Sequence, residues 1–146
     1  MRYVDAYVIP IPKRKLKAYV EMAKVGKKTW MKHGALDYYE CVADDVKSSW
    51  GQGFPKMAKL KPGETVVVAF VVYKSRAHRD RVNAKVMKEF SEAAVPMEMP
   101  FDIKRMANGG FSVTVGSYGG ALAGPDATGP PPGAPWPAES LAPVHS

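Results

Sequence analysis

His33 and His78 are the two histidines in the body of the chain, and imidazole is the side chain whose ordinary pKa lies nearest neutrality. They are therefore the first candidates for proton transfer. Tyr38, Glu40 and Tyr73 join them as a candidate catalytic set, because a carboxylate two positions from a phenol shares its face of a strand. Asp5, Arg76, Arg79 and Arg105 are candidate ligand-binding residues. Asp5 stands between Tyr3 and Tyr7, and Glu40 between Tyr38 and Val42, so both carboxylates fall on otherwise apolar strand faces. A carboxylate there is costly unless paired, which calls for a cation, an edge position or a job. Arg2, Lys104 and Arg105 are the expected cations, and an interfacial salt bridge is favoured over an acid–base role. A carboxylate left among tyrosines without a cation would favour the chemistry instead.

Each of these residues has a plainer reading. His33 ends a helix, where it serves as a cap, and His78 falls in the first turn of another. Two isolated histidines with no third ligand do not make a metal site. The run KSRAHRDR (74–81) gathers Lys74, Arg76, Arg79 and Arg81 at a helix start, where backbone N–H groups can receive a phosphate or carboxylate. Its plain reading is a solvated charged face with local pairing. Cys41 reads as a buried, inert thiol, and Met57, Met97, Met99 and Met106 as packing residues.

The elements that position these groups are legible from periodicity. Tyr3–Ile9 alternates, with Val4, Ala6 and Val8 on one face, and is expected to end at Pro10 and Pro12. Leu16, Tyr19, Val20, Ala23, Trp30 and Met31 give helical spacing over 13–33, stopped by Gly34. A second strand is expected over 36–43. A long loop over 44–63 follows, with Trp50 and Phe54 available to pin it down. The run Glu64–Tyr73 is a third strand, so apolar that both its faces need cover. Ser75 N-caps a helix to about Glu92 with a Val82, Val86, Phe90 stripe. A fourth strand over 104–115 carries Gly109–Gly110 as a bulge or turn. After Val115 the last 31 residues hold six Gly and seven Pro, which reads as a flexible tail over 116–146, extended near Pro130–Pro132 and sticky only at Trp136.

The order β-α-β, β-α-β is the split, ferredoxin-like plan: an α+β domain over 1–115 with a four-stranded antiparallel sheet and two helices on one face. The helices cover one apolar face. The other, expected to carry Tyr3, Tyr7 and Ile9, would be a large exposed patch in a monomer. A homodimer packing its sheets face to face into a dimeric α/β barrel is therefore expected, with dimerisation through helix faces as the alternative.

Composition narrows the function classes. The net charge is +7, and all 21 Lys and Arg precede residue 116. That basic body is open to anionic metabolites or nucleic acid. One cysteine excludes an internal disulfide and fits a reducing cytoplasm. No run approaches a membrane span, the N-terminus does not read as a signal peptide, and no cofactor motif is present.

The segments HGALDYYECVADDV (33–46), VVYKSRAHRDRVNAKVM (71–87) and MPFDIKRMANGGF (99–111), with YVDAYVIPIPK (3–13), resemble the YbaA-like family of small proteins. That family is a domain of unknown function in the dimeric α/β-barrel superfamily. The resemblance implies a ferredoxin-like fold and pairing through the sheets, and carries over no catalytic residues. The expected function is a small dimeric protein that binds or transforms a small molecule in a cavity. That cavity lies between sheet and helices or at the mouth of the barrel. The alternatives are a non-catalytic scaffold or stress-related protein and an RNA binder using the basic surface. RNA-recognition domains of this plan expose aromatics on their central strands, whereas VVVAFVVY offers one Phe and no glycine before its closing Tyr.

Overall fold

The run ETVVVAFVVY forms the longest apolar strand because β-branched side chains fit a pleated surface covered on both sides. In the computed structural model, which describes residues 1–93 and 98–117, this is β3 (Glu64–Tyr73). It pairs antiparallel with β1 (Tyr3–Pro12) from Tyr3↔Tyr73 to Pro12↔Glu64. β2 (Asp37–Val42) adds to the other edge of β3, and β4 (Ala107–Ser112) to the other edge of β1. The result is an α+β fold with a four-stranded antiparallel sheet in the order β2-β3-β1-β4.

Two long helices, α1 (Leu16–Lys32) and α3 (Arg76–Ala93), pack on one face of this sheet. A 3₁₀ turn over Lys13–Lys15 leads into α1. Gly34, at φ +110°, closes α1 while Ala35 N–H bonds back to the Trp30 carbonyl, so the predicted glycine stop is present. Ser75 caps α3, its Oγ accepting the His78 N–H at 3.1 Å. The connection over 44–63 contains one helical turn, α2 (Phe54–Met57), and leaves Trp50 and Phe54 exposed rather than anchored.

Several expectations need correction. β1 does not end at Pro10 but continues to Pro12. Even-numbered residues of β1 turn their backbone groups toward β4, as the Val113 N–H bond to the Arg2 carbonyl shows. β4 stops pairing at Val8↔Ala107, so the missing N–H groups of Pro10 and Pro12 fall beyond its last pair, where no strand among the described residues calls for them. Gly109 and Gly110 form no bulge; their pairing with Ala6 and Asp5 is in register. Gly110 is required by a side chain instead, since a Cβ there would lie 2.7 Å from Cζ of Tyr3. Residues Ile103–Arg105 form a 3₁₀ turn, not the start of β4.

The two faces of β1 are also reversed from expectation. Ile9 and Ile11 pack with Tyr19, Ala23 and Val67, and Tyr3 and Tyr7 border the cluster of Val71, Tyr73, Val82 and Val86, so the odd-numbered face meets the helices. Val4, Ala6 and Val8 are on the face away from α1 and α3, with Val68, Phe70 and Val72 of β3. Tyr39 and Phe111, on the same face, are 49% and 60% exposed. Cys41 is exposed there too, contrary to the buried thiol expected. The C-terminal segment from 118, with Pro130–Pro132 and Trp136, lies outside the described residues, as does Met97.

Candidate functional site: an apolar chamber with one carboxylate

The helix-side core is divided into two clusters that share Tyr7. Between them, under α1 and α3, is a chamber of about 810 Å³. Its floor is sheet: Tyr7, Ile9, Ala69 and Val71, with Tyr38 and Glu40 from β2. Its walls come from α1 and α3, and the segment before β4 contributes Met99, Phe101 and Met106. Exposed Val25, Met87 and Ile103 belong to the lining as well, so its mouth is apolar. A space this size holds a drug-sized molecule.

Glu40 is fixed by two phenols. Tyr19 Oη donates to Oε2 at 2.6 Å and Tyr38 Oη to Oε1 at 2.8 Å, one bond to each carboxylate oxygen. Tyr38 reaches this position because Gly26 of α1 has no side chain; a Cβ there would stand 3.0 Å from the Tyr38 hydroxyl. Burial first, then the hydrogen bond and charge of Glu40, push the Tyr19 phenol well above the ordinary range. Burial and Glu40 do the same for Tyr38. Tyr7 is pushed up to about 12 by burial and by Asp5. At neutral pH these phenols stay protonated and act as donors, not bases.

The two phenols belong to a set of aromatic rings in the chamber lining. Tyr19 and Phe101 meet edge to face at 5.8 Å, while Trp30 contacts Tyr38 at 5.9 Å and Phe90 at 5.8 Å. A second polar network backs this wall. Asn83 Oδ1 accepts from Trp30 Nε1 at 3.1 Å and Tyr73 Oη at 3.0 Å, and its amide donates to Asp5 at 3.3 Å. Arg79 Nη1 bonds Asp5 Oδ1 at 2.6 Å, and its guanidinium stacks 4.9 Å from the Tyr3 ring centre. Asp5 therefore has an intrachain partner from α3, not Arg2, Lys104 or Arg105. Burial, followed by Asp5, raises the Tyr73 phenol.

Of the sequence-derived candidates, Tyr38 and Glu40 come together in the chamber, and Tyr73, Asp5 and Arg79 form the network behind it. His33 and His78 stand apart from the lining. His33 Nε2 lies 3.2 Å from Glu89, beside Lys32. His78 Nδ1 accepts the Lys74 N–H at 2.9 Å, and burial with nearby Lys74 and Arg81 lowers its pKa. Arg76 is exposed, and Arg105 is clasped to Glu64 at 2.7 and 2.9 Å. Tyr19, Trp30, Phe90 and Phe101 were missed as site residues. Tyr19 and Trp30 were legible as the inward stripe of α1, but not as neighbours of Glu40.

The fold and the chamber define a class: an α+β protein with an antiparallel sheet, both long helices on one face, and an apolar space between the layers. Over residues 2–103 the chain matches the family described as "Protein of unknown function (DUF1428)", and it belongs to that family. It is 40% identical over 116 residues to "Uncharacterized protein YbaA" of Escherichia coli (strain K12), covering 76% of this chain and 95% of that protein. The same identity and coverage hold for the protein of that name from Shigella flexneri. Among solved structures it is similar to "De novo designed protein Foldit4", at 9% identity, 77% and 99% coverage and a TM-score of 0.39. The matched family segment contains Tyr19, Tyr38, Glu40 and Phe101, while β4 falls beyond it.

Proposed function

We propose that this chain binds a small, mostly apolar molecule in the chamber between its sheet and helices, and does so as a homodimer of ferredoxin-like subunits. The observation that carries the reading is the pairing of a roughly 810 Å³ apolar space with a single oriented carboxylate, Glu40. Ligand sites are typically apolar cavities with a few placed polar groups. If the bound molecule is transformed, Glu40 is the group placed to move a proton.

The uncovered sheet face supports the dimer. Val4, Ala6, Val8, Val68, Phe70 and Val72 form a contiguous apolar surface on the face away from α1 and α3. A second copy packed sheet to sheet would give the shared barrel-like core. The chamber is on the opposite side of the sheet, so ligand binding does not depend on that interface.

The test is native mass spectrometry of the full chain for a co-purifying small molecule, followed by displacement of an apolar fluorescent dye. Met87→Trp would plug the mouth from an exposed position. Loss of dye binding with an unchanged melting temperature supports the chamber as the site; undiminished binding in Met87→Trp rejects it.

A further inference from the structure

We infer that the chamber's ligand is an organic cation, an amine or quaternary ammonium on an apolar body, whose charged end sits against Glu40 among aromatic rings. This deepens the reading above and rests on it.

Charge is the first argument. The protein is strongly basic, yet none of its 21 Lys and Arg lines the chamber; Glu40 is its one formally charged group among the described lining residues. An anionic ligand would meet that carboxylate at close range in a low-dielectric space, where like charges repel strongly. A neutral apolar ligand would strip water from Glu40 and supply no counter-charge, which is costly. A cation turns the same desolvation into a paired charge.

The lining suits a cation as well. Tyr19 and Tyr38 bond the carboxylate, and Phe101, Trp30 and Phe90, which line the same chamber, contact those rings or one another. Ring faces carry negative quadrupole density and attract cations, and such cages recognise alkylated ammonium groups. So does the hydrogen-bond geometry. Tyr19 and Tyr38 each take one site on a different oxygen of Glu40, and a carboxylate has about four, so acceptor capacity remains. A bare metal ion fits poorly. Hard cations require six or more oxygen ligands, and the lining offers one carboxylate beside phenols that burial keeps protonated. The remaining space is apolar and suits a hydrocarbon or aromatic body.

A matched series separates this inference from its foundation: octylamine, octanol and octanoate, each competing with a chamber-bound fluorescent dye on the full-length protein at pH 7. The expected order is octylamine first, by roughly tenfold over octanol, with octanoate last. Glu40→Gln should remove the amine's advantage and leave octanol unchanged, at a melting temperature that shows the variant folded. Octanol binding as tightly as octylamine overturns the cation inference and leaves the chamber reading intact. Failure of all three to compete overturns both. The wild-type comparison needs no variant, so instability of Glu40→Gln would not spare the inference.

Discussion

Glu40 is half-buried on β2, and two phenols rather than a cation hold it in place. Hydrogen bonds to a charged group contribute more than neutral ones, so Tyr19→Phe and Tyr38→Phe should each cost about 1.5–3 kcal/mol. The double variant should cost more than the sum, because the hydroxyl left in each single variant bonds the shared carboxylate more strongly; a double-mutant cycle by urea unfolding checks this, and strict additivity would show that they act separately. Asp5 makes a different demand. It is 5% exposed and ion-paired to Arg79. Arg79→Met removes its counter-charge and should destabilise the chain by about 3–5 kcal/mol, measured the same way; a loss under 1 kcal/mol would show the pair to be well solvated. The sequence made Asp5's need of a partner plain, since a carboxylate between two tyrosines on a strand has few alternatives. It did not reveal the partner, because that depends on which face of β1 meets the helices. Tyr19 was hidden for the same reason: it lies 21 residues from Glu40, and only the docking of α1 over β2 brings them together.

At the scale of elements, the 3₁₀ turn before β4 is tied to the start of β3 by Arg105 and Glu64. Arg105 also donates to the Lys59 carbonyl at 2.9 Å. Its guanidinium, with the Lys61 backbone N–H, holds the Glu64 carboxyl at about 2, against an ordinary 4.5. The folded value is below the unfolded one, so this clasp stabilises fully above pH 4.5 and its contribution fades as the pH falls toward 2. Arg105→Met should flatten that part of the acid-unfolding profile; an unchanged slope between pH 4.5 and 2 would assign it to other carboxylates. Gly110 is the other element-level determinant. Gly110→Ala should push the Tyr3 ring off Arg79 and cost about 1–3 kcal/mol by overpacking, read from the thermal midpoint. Helix ends were legible because Gly34 and Ser75 act within a few residues of the backbone groups they satisfy. The role of Gly109–Gly110 was not, because it is set across the ladder by a side chain on another strand.

At the scale of the molecule, the apolar surplus of β3 was legible in the sequence and α1 and α3 supply one covering layer, but the sequence could not say which face of β1 that layer meets. Alternation fixes two faces without labelling them, and the label comes from the crossover geometry of α1 and α3. The structure assigns the helices the face with Asp5, Glu40, Tyr3, Tyr7, Tyr38 and Tyr73, and leaves valines, Phe70, Tyr39 and Phe111 on the other. That division separates the two proposals physically: the chamber belongs to a single chain, and the dimer to the opposite surface. Phe70→Glu tests the second without touching the first. Phe70 is central on β3, contacts Tyr39 at 5.0 Å between ring centres, and has no part in the chamber. Sedimentation velocity at micromolar concentration should give the wild type twice the 15.9 kDa chain mass and the variant a single copy, because two unpaired carboxylates brought face to face in an apolar interface cannot be solvated. Dye binding in the chamber should survive in the monomeric variant. A wild type that sediments as one chain would remove the dimer while leaving the ligand site standing, since every group that builds that site comes from the same chain.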